Sequence, residues 1–167
     1  YPLEAGAEFG DVVVMGETIV EYYADDGRGT ILYNAPKRKT TQLVKSNAPY
    51  QRNVVGIVSN NYGDFSSVGH GLIEDKDNPM PIALVGRVPV KVASTSPDLV
   101  PGDYITTSSE LGRATKAVKA GTIIGKVLEP WTKASGMQTV MVFVEHGYYN
   151  GIDSASFAGI ALSPENQ

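Results

Sequence analysis

PIALVGRVPVKV, residues 81–92, is the stretch whose reading decides the fold. It is the longest apolar run bounded by turn-forming residues, and Gly86 and Pro89 interrupt it from within. Residues 82–85 and 88–93 read as two strands. Pro89 has no N–H to give a ladder, which predicts an edge or bulge position. A similar unit stands on each side. Upstream, GDVVV (10–14) is followed by VVGIVS (54–59); downstream, GDYIT (102–106) is followed by IIGKVL (123–128). In both, Gly-Asp opens a β-rich segment and a hydrophobic strand with a central glycine, Gly56 or Gly125, closes it. The pattern reads as a weak internal duplication, residues 10–59 and 102–129, joined by the central stretch 81–93.

A chain of 167 residues fits one domain, large enough to bury about two-thirds of its unfolded surface. Its 42% hydrophobic and 19% charged residues are the balance of a globular protein, not a disordered one. A net charge of −4 argues against nucleic acid as a partner, because phosphate binding needs a concentrated cationic surface. The short basic cluster Lys37-Arg38-Lys39 reads as a solvated loop. Cysteine is absent, which excludes disulfides and thiolate chemistry. Every apolar run is far short of the roughly 20 residues that cross a bilayer as a helix, so no membrane insertion is expected. The chain begins at Tyr1, as expected of a processed product or of a chosen boundary.

Taken in order, residues 11–15 read as a strand. Residues 17–23 alternate, with Thr18, Val20 and Tyr22 on one face and Ile19, Glu21 and Tyr23 on the other. Asp25-Asp26-Gly27 predicts a hairpin turn to a partner strand at 30–33, making 17–35 an insertion without a counterpart in the second unit. Further strands are expected at 40–45, 54–59, 104–107, 113–116, 122–129 and 138–145. The longest loop, 60–78, exceeds the length of ordinary connections. No amphipathic helix is evident. Short strands separated by Gly, Pro and Asp turns indicate an all-β domain over 1–146, barrel-like or a sandwich. Residues 147–167 form an apolar tail with two charges, Asp153 and Glu165, where a solvated disordered tail would carry more. Tyr148, Tyr149, Ile152, Phe157, Ile160 and Leu162 are its candidate subunit contacts, through packing or strand pairing on its own subunit or a neighbour.

Candidate chemistry is sparse. His70 lies in the long loop near Asp64, Ser66 and Ser67, but a Ser-His-Asp triad is a spatial arrangement that sequence proximity does not supply. His146 reads as a strand-end surface residue. No catalytic residue and no cofactor are assigned. Glu74, Asp75, Asp77 and Asn78 offer oxygen ligands to a hard cation such as calcium, but without the spacing of a dedicated calcium loop the favoured reading is a solvated charge run. Asp11 and Asp103, matched by the duplication, read as carboxylates that accept hydrogen bonds from local turn amides. Tyr22, Tyr23, Tyr62 and Trp131 are the candidate stacking surfaces for a glycan or host surface, although an ordinary core and rim use aromatics as readily.

The run VVGIVS, PIALVGRVPVKV, VPGDYITTSSELGRATKA and IIGKVLE resembles a β-rich domain found near the C-terminal end of bacterial and phage surface fibres, adhesins and appendages. The opening YPLEAG…GDVVV is similar to that family's start, although the Ala-Glu pair that usually precedes it is missing. The likeness covers residues 1–144, apart from the 17–35 insertion and the tail. The resemblance extends to phage appendage modules that cleave their own chain with serine and aspartate; here Ser59, Ser66 and Ser67 are at hand, but none matches the cleavage site. It extends also to phage capsid decoration proteins, through GDYIT…IIGKVLE…TVMVFVE. What the resemblance implies is a non-enzymatic structural subunit, extracellular or on a virion surface, that assembles with copies of itself. Strand exchange is the expected means, by residues 156–162 or by residues 1–9.

Overall fold

The computed structural model describes residues 1–60 and 71–152. Its strands are β1 (Val12–Tyr22), β2 (Arg38–Lys45), β3 (Val54–Val58), β4 (Ile82–Ala83), β5 (Gly86–Lys91), β6 (Tyr104–Thr107), β7 (Ala114–Lys116), β8 (Gly121–Val127) and β9 (Thr139–Tyr149). The only helical elements among the described residues are two single 3₁₀ turns, Asp75–Asp77 and Lys133–Ser135. All pairings between strands are antiparallel. Sheet I has the order β2-β1-β3-β4 and sheet II the order β5-β9-β8-β6-β7. The two sheets do not close into one barrel; the architecture is a β-sandwich.

The central stretch 81–92 changes sheet in mid-run. β4 ends sheet I, the chain turns at Leu84 and Val85, and β5 opens sheet II as an edge strand paired only with β9. Pro89 therefore sits on an edge, opposite Met141, where its missing donor is tolerated. Small and β-branched apolar residues from both sheets meet in the main core: Val12, Ile57 and Ala83 from sheet I, with Val88, Ile105 and Val142 from sheet II. The far face of sheet I has its own cluster, Val13, Leu43, Val58 and Ile82, covered by Leu3 and Ala7 of the N-terminal segment.

The two sheets share one plan, residue for residue. Val13 faces Gly56 as Ile105 faces Gly125, and Val12 faces Ile57 as Tyr104 faces Lys126. On one side Val13 pairs with Lys45 as Ile105 pairs with Lys116. On the other, Ile57 pairs with Ala83 as Lys126 pairs with Phe143. Gly56 and Gly125 are required by close approach, since a Cβ there would stand 2.3 Å from the Ala83 carbonyl oxygen and 2.1 Å from that of Phe143. Gly10 and Gly102 hold φ of 89° and 93°, a region that disfavours side chains. Their amides donate to Val58 and Val127 at 2.9 and 2.8 Å.

The equivalence also covers a lead-in segment. Leu3 lies parallel to Leu43 as Val92 lies parallel to Ala114, and Pro2 faces Pro79 as Lys91 faces Thr139. The amides of Glu4 and Ala93 donate to the Leu43 and Ala114 carbonyls at 3.0 and 2.8 Å. Residues 1–9 are thus committed to their own chain, with Leu3 and Ala7 buried. A neighbour's sheet would have to compete for the backbone of Pro2, Leu3 and Glu4, which is already paired within the chain, while Tyr1 is exposed.

The insertion differs from its expected form. β1 continues through a bulge between Met15 and Ile19 to Tyr22, and its partner is β2, with Tyr22 opposite Arg38, not residues 30–33. The Asp-Gly turn survives as a small loop closed by a bridge between Asp25 and Ile31. β9 likewise runs past Glu145 to Tyr149, so the boundary at 147 falls inside a strand.

Candidate functional site

The Gly-Asp turns place the only buried ionic cluster among the described side chains. The Asp11 and Asp103 carboxylates each accept a turn amide, from Glu8 at 2.8 Å and Val100 at 2.9 Å. Each also faces the lysine that the repeat supplies, Lys45 at 4.0 Å and Lys116 at 3.5 Å. Asp11 alone acquires a second cation. Lys91 Nζ stands 2.9 Å from Asp11 Oδ1 and donates to Glu8 Oε1 at 2.6 Å. The Asp11 side chain is 2% exposed and that of Asp103 19%. The hydrogen bond from Lys91, reinforced by its charge, holds Glu8 below the usual carboxylate range. Burial alone would lower Lys91, but its hydrogen bonds to Glu8 and Asp11 outweigh it and raise the ammonium above its ordinary value. The Asp11 carboxylate is buried and held by a turn amide on one oxygen and by Lys91 on the other. Its work is to tie sheet I to β5.

A second feature is an arm. β3 pairs with β1 only over Val12–Val14, so the ladder from Ile19 to Tyr22 with β2 extends as two strands. Its tip is internally bonded: Asp26 Oδ1 accepts from the amides of Arg28 and Thr30 at 2.8 and 3.2 Å, and the Leu32 amide donates to Ala24 at 2.8 Å. Tyr23 and Tyr33 meet edge to face with centroids 5.0 Å apart, and Lys37 Nζ lies 4.5 Å from the Tyr23 ring centroid. Tyr33 is 69% exposed. From the sequence, Tyr23 is a candidate stacking residue and Lys37 part of a solvated basic loop, whereas Tyr33 has no signal beyond standing across the Asp-Gly turn from Tyr23.

The expected metal ligands do not converge. Asp75–Asp77 is a 3₁₀ turn, Glu74 pairs with Lys76 at 3.1 Å, and the Asn78 amide donates to the carbonyls of Glu4 and Ala7 at 3.2 and 3.0 Å. Asn78 therefore presents donors to the N-terminal segment. No three His, Cys, Asp or Glu side chains gather into a metal-binding group among the described residues. Trp131 is no stacking surface either: it is buried, and its Nε1 donates to the Met137 carbonyl at 2.8 Å. Tyr22 lies on β1 of the arm. His146 is exposed within β9. Tyr62, Asp64, Ser66, Ser67 and His70 lie outside the described residues.

At the C-terminal end, Tyr148 and Tyr149 belong to β9, opposite Thr122 and Gly121. Tyr149 packs against Tyr104 with centroids 5.2 Å apart, whereas Tyr148 is 71% exposed. Ile152 is the last described residue and is exposed. Phe157, Ile160 and Leu162 lie outside the described residues. No described helix is long and apolar enough to cross a membrane. Comparison with protein-family models, with curated proteins and with solved structures gave no match.

Proposed function

We propose that this chain is a non-enzymatic structural subunit that assembles with copies of itself into an extracellular appendage, a filament or a virion surface. The observation that carries the reading is the segment 147–167: six large apolar residues with only Asp153 and Glu165 for charge. Tyr148 and Ile152, at the root of that segment, face solvent. A weakly charged apolar segment gains from covering a sheet edge, where each added ladder bond and buried side chain contributes by ordinary hydrogen bonding and area burial. The likeness of the chain to surface fibre and appendage domains supports the same reading.

Deletion of residues 155–167 tests it. The shortened chain is expected to keep its β circular dichroism and to lose every ordered assembly that the full chain forms in negative-stain electron micrographs. A shortened chain that assembles as the full one does would exclude the tail as the assembling element.

A further inference from the structure

Where β9 ends, the chain reads Tyr149-Asn150-Gly151-Ile152, and Asn150 is the only asparagine of the chain followed by glycine. Asn150 and Gly151 are both exposed. Asn150 Oδ1 accepts a hydrogen bond from the Ile152 amide at 2.9 Å. The ring that this bond closes contains both Asn150 Cγ and the Gly151 nitrogen, so an electrophile and a nucleophile are held within one small loop. Gly151 adds no Cβ beside its nitrogen, and its φ of 85° lies where side chains are disfavoured. A Cβ there would stand 3.3 Å from the Ala120 nitrogen, which places Gly151 against the residue that precedes β8.

We infer that Asn150 is a self-modification site, where the side-chain carboxamide is converted to a carboxylate through a cyclic imide with the Gly151 nitrogen. Hydroxide takes the Gly151 amide proton, and the nitrogen attacks Asn150 Cγ. The new C–N bond forms, the bond from Cγ to Nδ2 breaks, and ammonia leaves. Water then opens the five-membered imide at either carbonyl. The product is aspartate at 150, or an isoaspartate link in which the main chain continues through the former side chain. Water is the only co-reactant, and nothing is oxidised or reduced. The Ile152 amide donates to the oxygen on which negative charge grows during attack, the position of an oxyanion donor. This inference stands apart from the assembly reading. The conversion adds a carboxylate to a segment whose only charges are Asp153 and Glu165, and lowers the formal net charge of −4 by one.

Asp26-Gly27, the only Asp-Gly pair, is an internal control. Asp26 Oδ1 likewise accepts from the amide two residues on, that of Arg28 at 2.8 Å, and also from that of Thr30 at 3.2 Å. Those amides hold the Asp26 carboxyl below the usual carboxylate range. An ionised carboxylate already carries negative charge and resists attack by nitrogen, so the same turn is inert with aspartate and reactive with asparagine.

The full chain is incubated in mildly alkaline buffer made with isotopically heavy water, folded in one sample and unfolded by guanidinium in another, then digested and mapped by mass spectrometry. In the folded sample the peptide holding Asn150 is expected to exchange amide for acid, to take up heavy oxygen, and to divide between aspartate and isoaspartate. It should do so several-fold faster than the peptides holding Asn34, Asn47, Asn53 or Asn78, and at least as fast as in the unfolded sample. Asn150→Gln should abolish the change in that peptide. A folded chain that stays unmodified at Asn150 would overturn the site. Faster conversion in the unfolded sample would overturn the part given to the Ile152 amide. Isoaspartate forming equally fast at Asp26 would overturn the contrast between the two turns.

Discussion

The two sheets are variations on one four-strand unit, and they differ most at their shared border. In sheet II the fourth strand of the unit, β9, is long and covered by β5, and Val144 is fully buried there. In sheet I the fourth strand is the two-residue β4, with Pro2 bridged to Pro79 just before it, and Leu84 is exposed. The Gly-Asp turns differ in the opposite sense. Asp103 has one lysine and stays partly exposed, whereas Asp11 has two and is buried. Sheet I is thus the more firmly anchored at its turn. A repeated unit lets each departure be read against an internal control, and the departures mark what one copy does that the other does not.

That comparison can be broken most severely at the central glycines. Gly56→Ala and Gly125→Ala each push a methyl group into a backbone carbonyl. Each is expected to cost about 3 kcal/mol or more, read from the urea midpoint, because backbone cannot yield as a side-chain tip can. A cost confined to one of the two would end the claim that the registers are equivalent. Next is the extra cation. Lys91→Ala leaves the buried Asp11 with Lys45 alone, and about 3 kcal/mol is expected. Lys116→Ala, at the half-open Asp103 pair, should cost under about 1 kcal/mol. Similar losses at both would show that the second lysine adds nothing.

The pH dependence follows from the same cluster. Glu8 is held below its ordinary value, so its contribution is present above pH 4.5 and is lost as pH falls through the depressed value. Lys91 is held above its ordinary value, so its contribution is complete below pH 10.5 and is lost as pH rises through the elevated value. Lys91→Ala should therefore flatten the acid limb of the stability profile as well as the alkaline one. An unchanged acid limb would detach Glu8 from the cluster. The smallest effect is at Ser46, whose buried Oγ has no hydrogen-bond partner and whose counterpart in the repeat is Ala117. Ser46→Ala should be neutral or stabilising by up to about 1 kcal/mol in the same denaturation assay. A clear loss of stability would mean that the hydroxyl is used.

What the sequence disclosed of this plan follows from which contacts need a particular side chain. Gly-Asp and the central glycine are chemical necessities, a left-handed turn and a strand too close for a Cβ, so the duplication and the all-β class are visible in the residues. The lead-in segments are held by backbone pairing, which leaves their composition free. Glu4 Oε1 accepts the Lys45 amide at 2.7 Å just where Ser96 Oγ accepts that of Lys116 at 3.2 Å, and nothing in YPLE announces kinship with VKVA. The carboxylates at 74–77 read either as a solvated charge run or as cation ligands, because spacing alone does not show that they fail to gather while Asn78 turns its amide inward. Trp131 reads as readily as core as it does as a stacking surface, because an indole contributes apolar area to either, and it is buried.

The most direct measurement is negative-stain electron microscopy of the full chain beside the chain lacking residues 155–167. Ordered assemblies from the full chain and none from the shortened one are the predicted result. Equal assembly by both, or by neither, would contradict it.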